Sequence, residues 1–192
     1  MRERILETAD KLFYGQGVRA VGVDTVAAQI GISKRTLYNY FPSKDALIVA
    51  YLLRRSVPLE SSDAAPMEQI LGIFDRLERS FTSHGFRGCP FVNAVAELGE
   101  PSHEVKQVAV AFKERRRVWF RDLLAKLEVA DPEGLATQLA LLIDGAIAGA
   151  LVRGDPKMAH AAKNAAGALL TSAIASTDTS ARTRQEEPSG AR

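Results

Sequence analysis

The side chains best suited to chemistry lie together in residues 34–41, a segment that reads KRTLYNYF. Leu37 and Phe41 are apolar and four residues apart, so on a helix they predict one buried seam. The other face is polar, cationic and aromatic; it carries Lys34, Arg35, Thr36, Tyr38, Asn39 and Tyr40. Lysine and arginine bind phosphate or guanine, and a tyrosine hydroxyl donates to a phosphate oxygen. This face therefore predicts contact with DNA, whereas a solvated surface is the plainer alternative.

The preceding residues supply the frame that would position this helix. Apolar residues recur there at three- and four-residue spacing and predict a short helix: Val23, Val26, Ala27 and Ile30. Gly31 suits the left-handed end of that helix, and Ser33 suits the N-cap of the next one. Two short helices joined by a tight turn place the second helix in a major groove.

Composition and charge narrow the class of protein. The chain has 192 residues, 46% of them apolar, which is typical of a globular fold. Residues 1–57 hold nine Lys/Arg against five Asp/Glu, whereas the remainder holds 16 against 18. The basic N-terminal part is therefore the candidate for binding nucleic acid.

Three features predict a cytoplasmic protein without a membrane segment. The single cysteine, Cys89, excludes an intrachain disulfide and fits a reducing compartment. The N-terminal residues lack the apolar core of a signal peptide. The most apolar run, residues 139–151, contains Asp144 and is short for a bilayer span.

Helical periodicity continues along the whole chain, and no strand-like alternation interrupts it, so the predicted fold is all-α. Proline, serine and aspartate crowd residues 58–66, which predicts a linker. We expect a helix-turn-helix DNA-binding domain in residues 1–57, a larger helical ligand-binding and dimerisation domain in 67–176, and a disordered tail in 177–192.

The motifs in this order resemble the TetR (tetracycline-repressor-like) transcriptional regulators. The resemblance is densest over residues 5–53, and it rests on Phe13, Gly17, Val26-Ala27, Gly31-Ile32-Ser33, Thr36-Leu37-Tyr38, Tyr40-Phe41, Ser43-Lys44 and Ala46-Leu47. Residues 87–93, RGCPFVN, also resemble one branch of the family. Gly22 departs from the pattern, because the family often has threonine or serine there; glycine still serves as an N-cap.

The resemblance implies a homodimer that binds a double-stranded DNA operator and a small-molecule inducer. It implies that Lys34, Arg35 and Thr36 lie at base edges or adjacent phosphates, and that Tyr38, Tyr40 and Lys44 hold the DNA backbone. Thr25 would do so from the preceding helix, and Ser33 and Asn39 complete the predicted set. The operator sequence, the inducer and the sign of regulation cannot be read from the chain.

The C-terminal helices are the dimerisation candidate. Residues 132–153 are apolar over most of the helix circumference, so that helix must be buried on two sides. Small residues let helices approach closely, and Gly145 and Gly149 are four apart, as are Ala161 and Ala165. We expect a homodimer through residues 132–176; the alternative is that both helices only complete the monomer core.

The middle helices carry the residues predicted to line an inducer pocket. An apolar wall with a few convergent polar groups is the usual form of a small-molecule site. The apolar candidates are Phe74, Leu77, Phe81, Phe91, Phe112, Trp119 and Phe120, and the polar candidates are His84, Asn93 and Arg116. The plain alternative for each aromatic residue is the protein core. The run 115–117 is expected to be surface charge with one arginine turned inward.

Other chemistry has less support. Cys89 follows Arg87 in a glycine-bearing loop, so an oxidant-sensing thiolate is conceivable, although an inert thiol is the favoured interpretation. The three histidines do not have metal-ligand spacing, and no nucleophile pairs with a base. We therefore predict no catalytic residues, no metal and no cofactor.

The sequence favours a ligand-responsive transcriptional regulator, most simply a repressor. Two alternatives stay open. One is a helical small-molecule binding protein or enzyme whose N-terminal helices only pack, and which would lack salt-sensitive DNA affinity. The other is an architectural DNA-associated protein, which would bind DNA without any response to a small molecule.

Overall fold

The fold is all-α, as predicted. The computed structural model describes residues 1–59, 62–100 and 102–186, with side chains described as far as residue 176. These ranges contain helices and no strand; the helices are α1 (Arg2–Gln16), α2 (Val23–Ile30), α3 (Lys34–Tyr40), α4 (Lys44–Arg55), α5 (Pro66–Phe81), α6 (Pro90–Leu98), α7 (His103–Lys126), α8 (Pro132–Arg153) and α9 (Lys157–Glu186).

The helices form two compact units. The first unit comprises Met1–Pro58 together with Arg87–Glu114, and the second comprises Leu59–Phe86 together with the chain from Arg115 onward. The first unit therefore takes up α6 and the first half of α7 in addition to α1–α4. This division describes packing, and the predicted domain limits at residues 57, 66 and 176 remain predictions about folding and function.

In the first unit, α1, α2 and α4 enclose an apolar core. Ile5, Ala9 and Val26 have no exposed surface, and Phe13 packs edge-on against Tyr51 with ring centroids 5.6 Å apart. Arg55, at the end of α4, donates two hydrogen bonds to Asp10 at 2.6 and 2.9 Å and lies 3.9 Å from the centroid of the Tyr14 ring. A bidentate ion pair and a cation–π contact together tie α4 to α1.

The buried face of α4 differs from its prediction. The apolar spacing of Ala46, Leu47, Ala50 and Leu53 predicts one inward face. Leu47 has no exposed surface, as predicted, but Leu53 is 53% exposed, whereas Ile48 and Leu52 have no exposed surface and Tyr51 has 1%. The aromatic ring of Tyr51 occupies the core opposite Phe13 and so sets the rotation of the helix. Burial also raises the pKa of Tyr51 far above the usual tyrosine value.

In the second unit, α5, α8, α9 and the last half of α7 surround a single apolar cluster. Its members without exposed surface include Ile70, Phe120, Leu124, Leu139 and Leu170. The face of α8 that enters the cluster carries Leu135, Leu139, Ile143, Ala146 and Ala150. At Gly149 an added Cβ would lie 3.2 Å from the sulfur of Met158, so this glycine allows α8 to pack closely on α9.

Two C-terminal features differ from the sequence expectations. Helix α9 continues to Glu186, where the sequence predicts a disordered tail from residue 177, and residues 187–192 of that tail lie outside the described residues. Helix α8 has 22 residues and contains an 18-residue window with a mean hydropathy of 1.8, so by length and composition it could cross a membrane, whereas the sequence-based expectation concerned only the shorter run 139–151. The apolar core helix of a soluble protein passes the same test, and α8 supplies residues to the core cluster.

Candidate nucleic-acid interface

Helices α2 and α3 and the turn between them are built as the sequence predicts. Gly31 ends α2 in the left-handed conformation, with φ 74° and ψ 36°, and its backbone N–H donates to the carbonyls of Ala27 and Ala28. Ser33 caps α3, because its Oγ accepts a hydrogen bond of 3.0 Å from the backbone N–H of Thr36. Leu37 has no exposed surface and Phe41 has 2%. These two residues fix which face of α3 points outward.

The outward face of α3 carries the residues predicted to contact DNA. Tyr38 is 37% exposed and Tyr40 is 42% exposed. The remaining exposed members of the predicted set are Thr25, Ser33, Lys34, Arg35 and Asn39, whereas Thr36 and Lys44 are half-buried. Among the described residues, Arg35 makes neither a hydrogen bond nor an ion pair, so its guanidinium is available to a guanine or a phosphate.

Lys34 has a partner that the sequence reasoning missed. Its ammonium donates to the carboxylate of Asp24, in the first turn of α2, at 2.9 Å. This hydrogen bond to Asp24 raises the pKa of Lys34. Because both side chains are solvent-exposed, the pair holds Lys34 weakly, and a phosphate can compete for the ammonium.

Lys44 lies at the first position of α4, beside the N-cap Ser43, whose Oγ accepts from Ala46 N–H at 3.0 Å. The Lys44 ammonium donates to the carbonyl of Arg19 at 3.4 Å. Burial lowers the pKa of Lys44, because the charged ammonium loses hydration. Lys44 is thus a partly desolvated cation near the turn that precedes α2.

The segment Arg87–Asn93 fastens α6 to the C-terminal end of α1. The Tyr14 hydroxyl accepts from the backbone N–H of Arg87 at 3.0 Å and donates to the carbonyl of Gly88 at 3.2 Å. The Arg87 guanidinium donates to the carbonyl of Gly15. Asn93 donates to the Arg87 carbonyl at 2.6 Å, which fixes the loop. Only the resemblance singled out this segment, and Tyr14 was not predicted, because 74 residues separate it from Gly88.

A second contact between the same elements involves Glu97 of α6. Its carboxylate accepts from the backbone N–H of Arg19 at 3.3 Å. It also lies beside Gly17, where an added Cβ would meet the carboxylate oxygen at 2.6 Å. Gly17 has φ 97° and ends α1. The end of α1 therefore combines a glycine-only backbone conformation with close approach of a charged side chain.

The predicted inducer residues divide between the two units. Phe91 and Phe112 lie in the first unit and stack with ring centroids 3.8 Å apart and an interplanar angle of 9°. The second unit contains Phe74, Leu77, Phe81, Arg116, Trp119 and Phe120. Asn93 belongs to the first unit, and His84 is exposed. Each of these residues remains a prediction as a ligand contact.

Arg116 is the arginine of its run that turns inward. It is 8% exposed, and its Nη2 donates to Asp144 of α8 at 2.6 Å. Its Nε, however, is buried without a hydrogen-bond partner, and so is Nε1 of Trp119 one turn later on α7. Burying polar groups without partners is costly, so these two donors mark the most unusual polar environment of the second unit.

Cys89 is 8% exposed and occupies the N-cap position of α6 without capping it through its side chain. Reactive cysteines are usually partly exposed, so this burial favours an inert thiol, and the redox role stays a hypothesis. Within the described part of the chain, no group of three or more histidine, cysteine, aspartate or glutamate side chains is arranged to hold a metal ion.

The geometry defines a class of protein: a helix-turn-helix with an exposed cationic and aromatic reading helix, joined to a larger helical unit. Residues 5–51 match the model of the bacterial regulatory proteins of the tetR family. The HTH-type transcriptional regulator YxaF of Bacillus subtilis is 31% identical over 164 residues, which cover 79% of this chain and 83% of YxaF.

Solved structures agree with this match. A TetR-family transcriptional regulator from Streptomyces coelicolor is 30% identical in sequence, and its crystal structure matches with a TM-score of 0.80. The match covers 95% of that chain and 90% of this one. The reduced form of NemR from Escherichia coli shares the fold with a TM-score of 0.77 at 23% identity, over 94% of its chain and 86% of this one. The protein belongs to the TetR family of transcriptional regulators and is a DNA-binding regulator.

Proposed function

We propose that the protein is a ligand-responsive repressor that binds a palindromic operator as a homodimer and leaves it when a small molecule binds. The observation that carries this proposal is the reading face of α3, where Arg35 and Tyr38 are exposed above a seam fixed by the buried Leu37. NemR, a transcriptional repressor of Escherichia coli that is 27% identical over 114 residues, covering 55% of this chain and 57% of NemR, supports repression as the sign of regulation.

The exposed side of α8 supports dimerisation. Leu141 is 65% exposed and Val152 is 84% exposed, although both are large and apolar. Gly145 and Ala148 lie between them at helical spacing, and α9 adds the exposed Ala161, Ala165 and Ala168. Exposed small and apolar side chains on both helices suit close packing of helices in an isologous pair. A two-fold dimer presents two reading helices to half-sites about 34–36 Å apart.

Release by an inducer would be a population shift. An inducer bound in the second unit favours dimers whose reading helices do not fit successive major grooves. By linkage, the inducer must bind the operator-free protein more tightly than the operator complex. The factor equals the one by which the inducer weakens operator binding. Equal inducer affinity for the two forms would contradict this mechanism.

We propose no enzymatic activity. The relatives are transcriptional regulators, and the exposed face of α3 carries cationic, polar and aromatic side chains suited to phosphate and base edges. The alternatives of a helical binding protein without a DNA role and of an architectural DNA-associated protein are separated from the proposal by DNA affinity and by its response to small molecules.

The decisive experiment selects bound sequences from random double-stranded DNA with the full-length protein. We expect an inverted repeat with half-sites about one helical turn apart, and an affinity that falls steeply with salt because phosphate contacts release counterions. Arg4→Ala removes an exposed cation from α1. It is the control for loss of charge alone when a cation of α3, such as Arg35, is replaced by alanine. Recovery of no motif, or binding that salt does not weaken, would refute the DNA-binding role.

A further inference from the structure

Two hydrogen-bond donors inside the second unit lack acceptors. Among the described residues, three buried side-chain polar atoms have no hydrogen-bond partner, and two of them are Arg116 Nε and Trp119 Nε1. Arg116 is 8% exposed and Trp119 is 9% exposed. Nearly all buried polar groups in proteins are hydrogen-bonded, so two exceptions one turn apart require a specific cause.

Both orphaned groups lie on the same side of α7. Residues three positions apart on a helix are neighbours, with Cβ atoms about 5–6 Å apart. Arginine Nε and indole Nε1 can donate but cannot accept, so a partner for either group must supply an acceptor atom. The indole also packs edge-on against Phe120, with ring centroids 5.3 Å apart, and belongs to the apolar cluster of this unit. The surroundings of the Trp119 ring are thus mainly apolar.

The ion pair of Arg116 further restricts the charge of a molecule that could bind the two donors. Its positive charge already faces the carboxylate of Asp144, with Nη2 and Oδ1 2.6 Å apart. A second anion at this position would face the carboxylate of Asp144, which already balances the charge of Arg116 and repels another negative charge. A neutral acceptor uses the two free N–H groups and leaves the ion pair intact.

We propose that the effector of this regulator is an apolar molecule with a neutral carbonyl-type oxygen, which accepts hydrogen bonds from Arg116 Nε and Trp119 Nε1. This inference rests on the proposed function, because it assigns the chemistry of the ligand that the second unit binds. An effector of this class enters by burying its apolar body in the cluster and gains specificity from the two donors. A molecule of the same shape without the oxygen leaves both donors unsatisfied.

The state of the indole in the free protein gives a test that needs no ligand. Trp119 is the only tryptophan, so Trp119→Phe removes a single indole N–H and keeps an aromatic ring. The smaller ring also leaves a cavity, so the melting temperature does not isolate the N–H, but loss of its signal in Trp119→Phe assigns the Nε1–H resonance of the wild type. Because that N–H is unpaired, we expect this resonance in the ligand-free protein to lie upfield of hydrogen-bonded indoles. A downfield position would show that the indole is already paired in the free protein and would overturn the proposal.

The binding test uses matched probes: acetophenone as the neutral acceptor, isopropylbenzene as a molecule of similar size without an acceptor, and benzoate as the anion. The single indole gives one Nε1–H resonance in the ¹⁵N-labelled full-length protein. We expect saturating acetophenone to move that resonance downfield, and isopropylbenzene to bind more weakly without such a shift. Equal affinity for the two probes, or an unmoved resonance with acetophenone, would refute the assigned donors; tighter binding of benzoate would refute the neutral class.

Two variants separate the donors from general packing. Arg116→Lys keeps a cation opposite Asp144 but lacks Nε–H, and Trp119→Phe lacks the indole N–H. Each is expected to lower the affinity for acetophenone relative to that for isopropylbenzene about three- to tenfold, the value of one hydrogen bond. An unchanged ratio of the two affinities in both variants would overturn the assignment.

DNA affinity, measured on the same samples with the selected operator, distinguishes this inference from the proposed function. If the protein binds its operator but acetophenone does not bind as expected, only the assigned ligand class is wrong. If no operator binding is found, the regulatory proposal fails whatever the probes show.

Discussion

Arg35 and Tyr38 share the exposed face of α3, but their chemistry predicts different contributions to DNA binding. Arginine can make a bidentate contact with guanine, whereas a tyrosine hydroxyl reaches phosphate. We expect Arg35→Ala to cost about 1–3 kcal/mol on the preferred site and to relax specificity there. Tyr38→Ala is expected to weaken binding about equally on all sequences. Gel shifts on the selected operator and on single-base variants test both, and the idea fails if neither variant differs from the wild type.

The ion pair between Lys34 and Asp24 gives a second prediction at the scale of single residues. Asp24→Asn removes an anion near the reading face and frees the Lys34 ammonium, so we expect tighter DNA binding and a salt dependence steeper by about one unit in log–log slope. Glu7→Gln is the matched control, because Glu7 pairs with Lys11 at 3.0 Å on an exposed face of α1. Weaker DNA binding by the Asp24 variant would show that the pair assists recognition.

At this scale, sequence reasoning found side chains but not their partners. The exposed cationic and aromatic face of α3 follows from the spacing of Leu37 and Phe41. The partner of Lys34 lies ten residues away on another helix, and the partner of Arg116 lies 28 residues away. Helical periodicity carries no information about such tertiary pairs, so neither could be predicted from the chain alone.

Two glycines near the end of α1 should respond to substitution in opposite ways. Gly15 lies inside the helix with nothing within 4 Å of an added Cβ, so Gly15→Ala is expected to stabilise the protein by about 0.5–1 kcal/mol. Gly17 has φ 97°, and its Cβ would displace the Glu97 carboxylate. We expect Gly17→Ala to cost about 1–3 kcal/mol through backbone strain and the weakened bond to Arg19. Denaturant midpoints measure both changes, and equal midpoints would contradict this account.

The helices themselves were largely predictable, because their signals are local. Gly31 ends one helix and Ser33 begins the next as expected, since left-handed glycine and serine caps depend on only a few neighbouring residues. The rotation of α4 about its axis was not predictable, because Leu53 fits the apolar spacing equally well. The packing of Tyr51 against Phe13 leaves Leu53 outside the core. Tertiary packing decides between faces when a helix offers two.

For the whole molecule, the exposed apolar side of α8 should control assembly. Leu141→Glu and Val152→Glu each place a charge in the proposed interface. Because the dimer is two-fold symmetric, each substitution puts two charges there, one from each subunit. We expect a penalty of about 2 kcal/mol or more, with dissociation to monomers in sedimentation and weaker operator binding. Val110→Glu is the control, because Val110 is 58% exposed but lies on α7. Dimers that persist in both α8 variants would place the interface elsewhere.

The division into two units was the part of the architecture that could not be predicted from the sequence. The predicted linker at 58–66 comes near the end of the first continuous segment at Pro58, but α6 and the first half of α7 pack with the N-terminal helices. That arrangement depends on Tyr14, Glu97 and the Arg87 loop, whose partners lie more than 70 residues away. Contacts over such separations leave no periodic trace.

The clamp around Arg55 has a mechanical consequence. The guanidinium holds Asp10 and covers the ring of Tyr14, and it belongs to the last residue of α4. A pull transmitted through the chain that follows therefore loads α1 and α4 together instead of unwinding α4 alone.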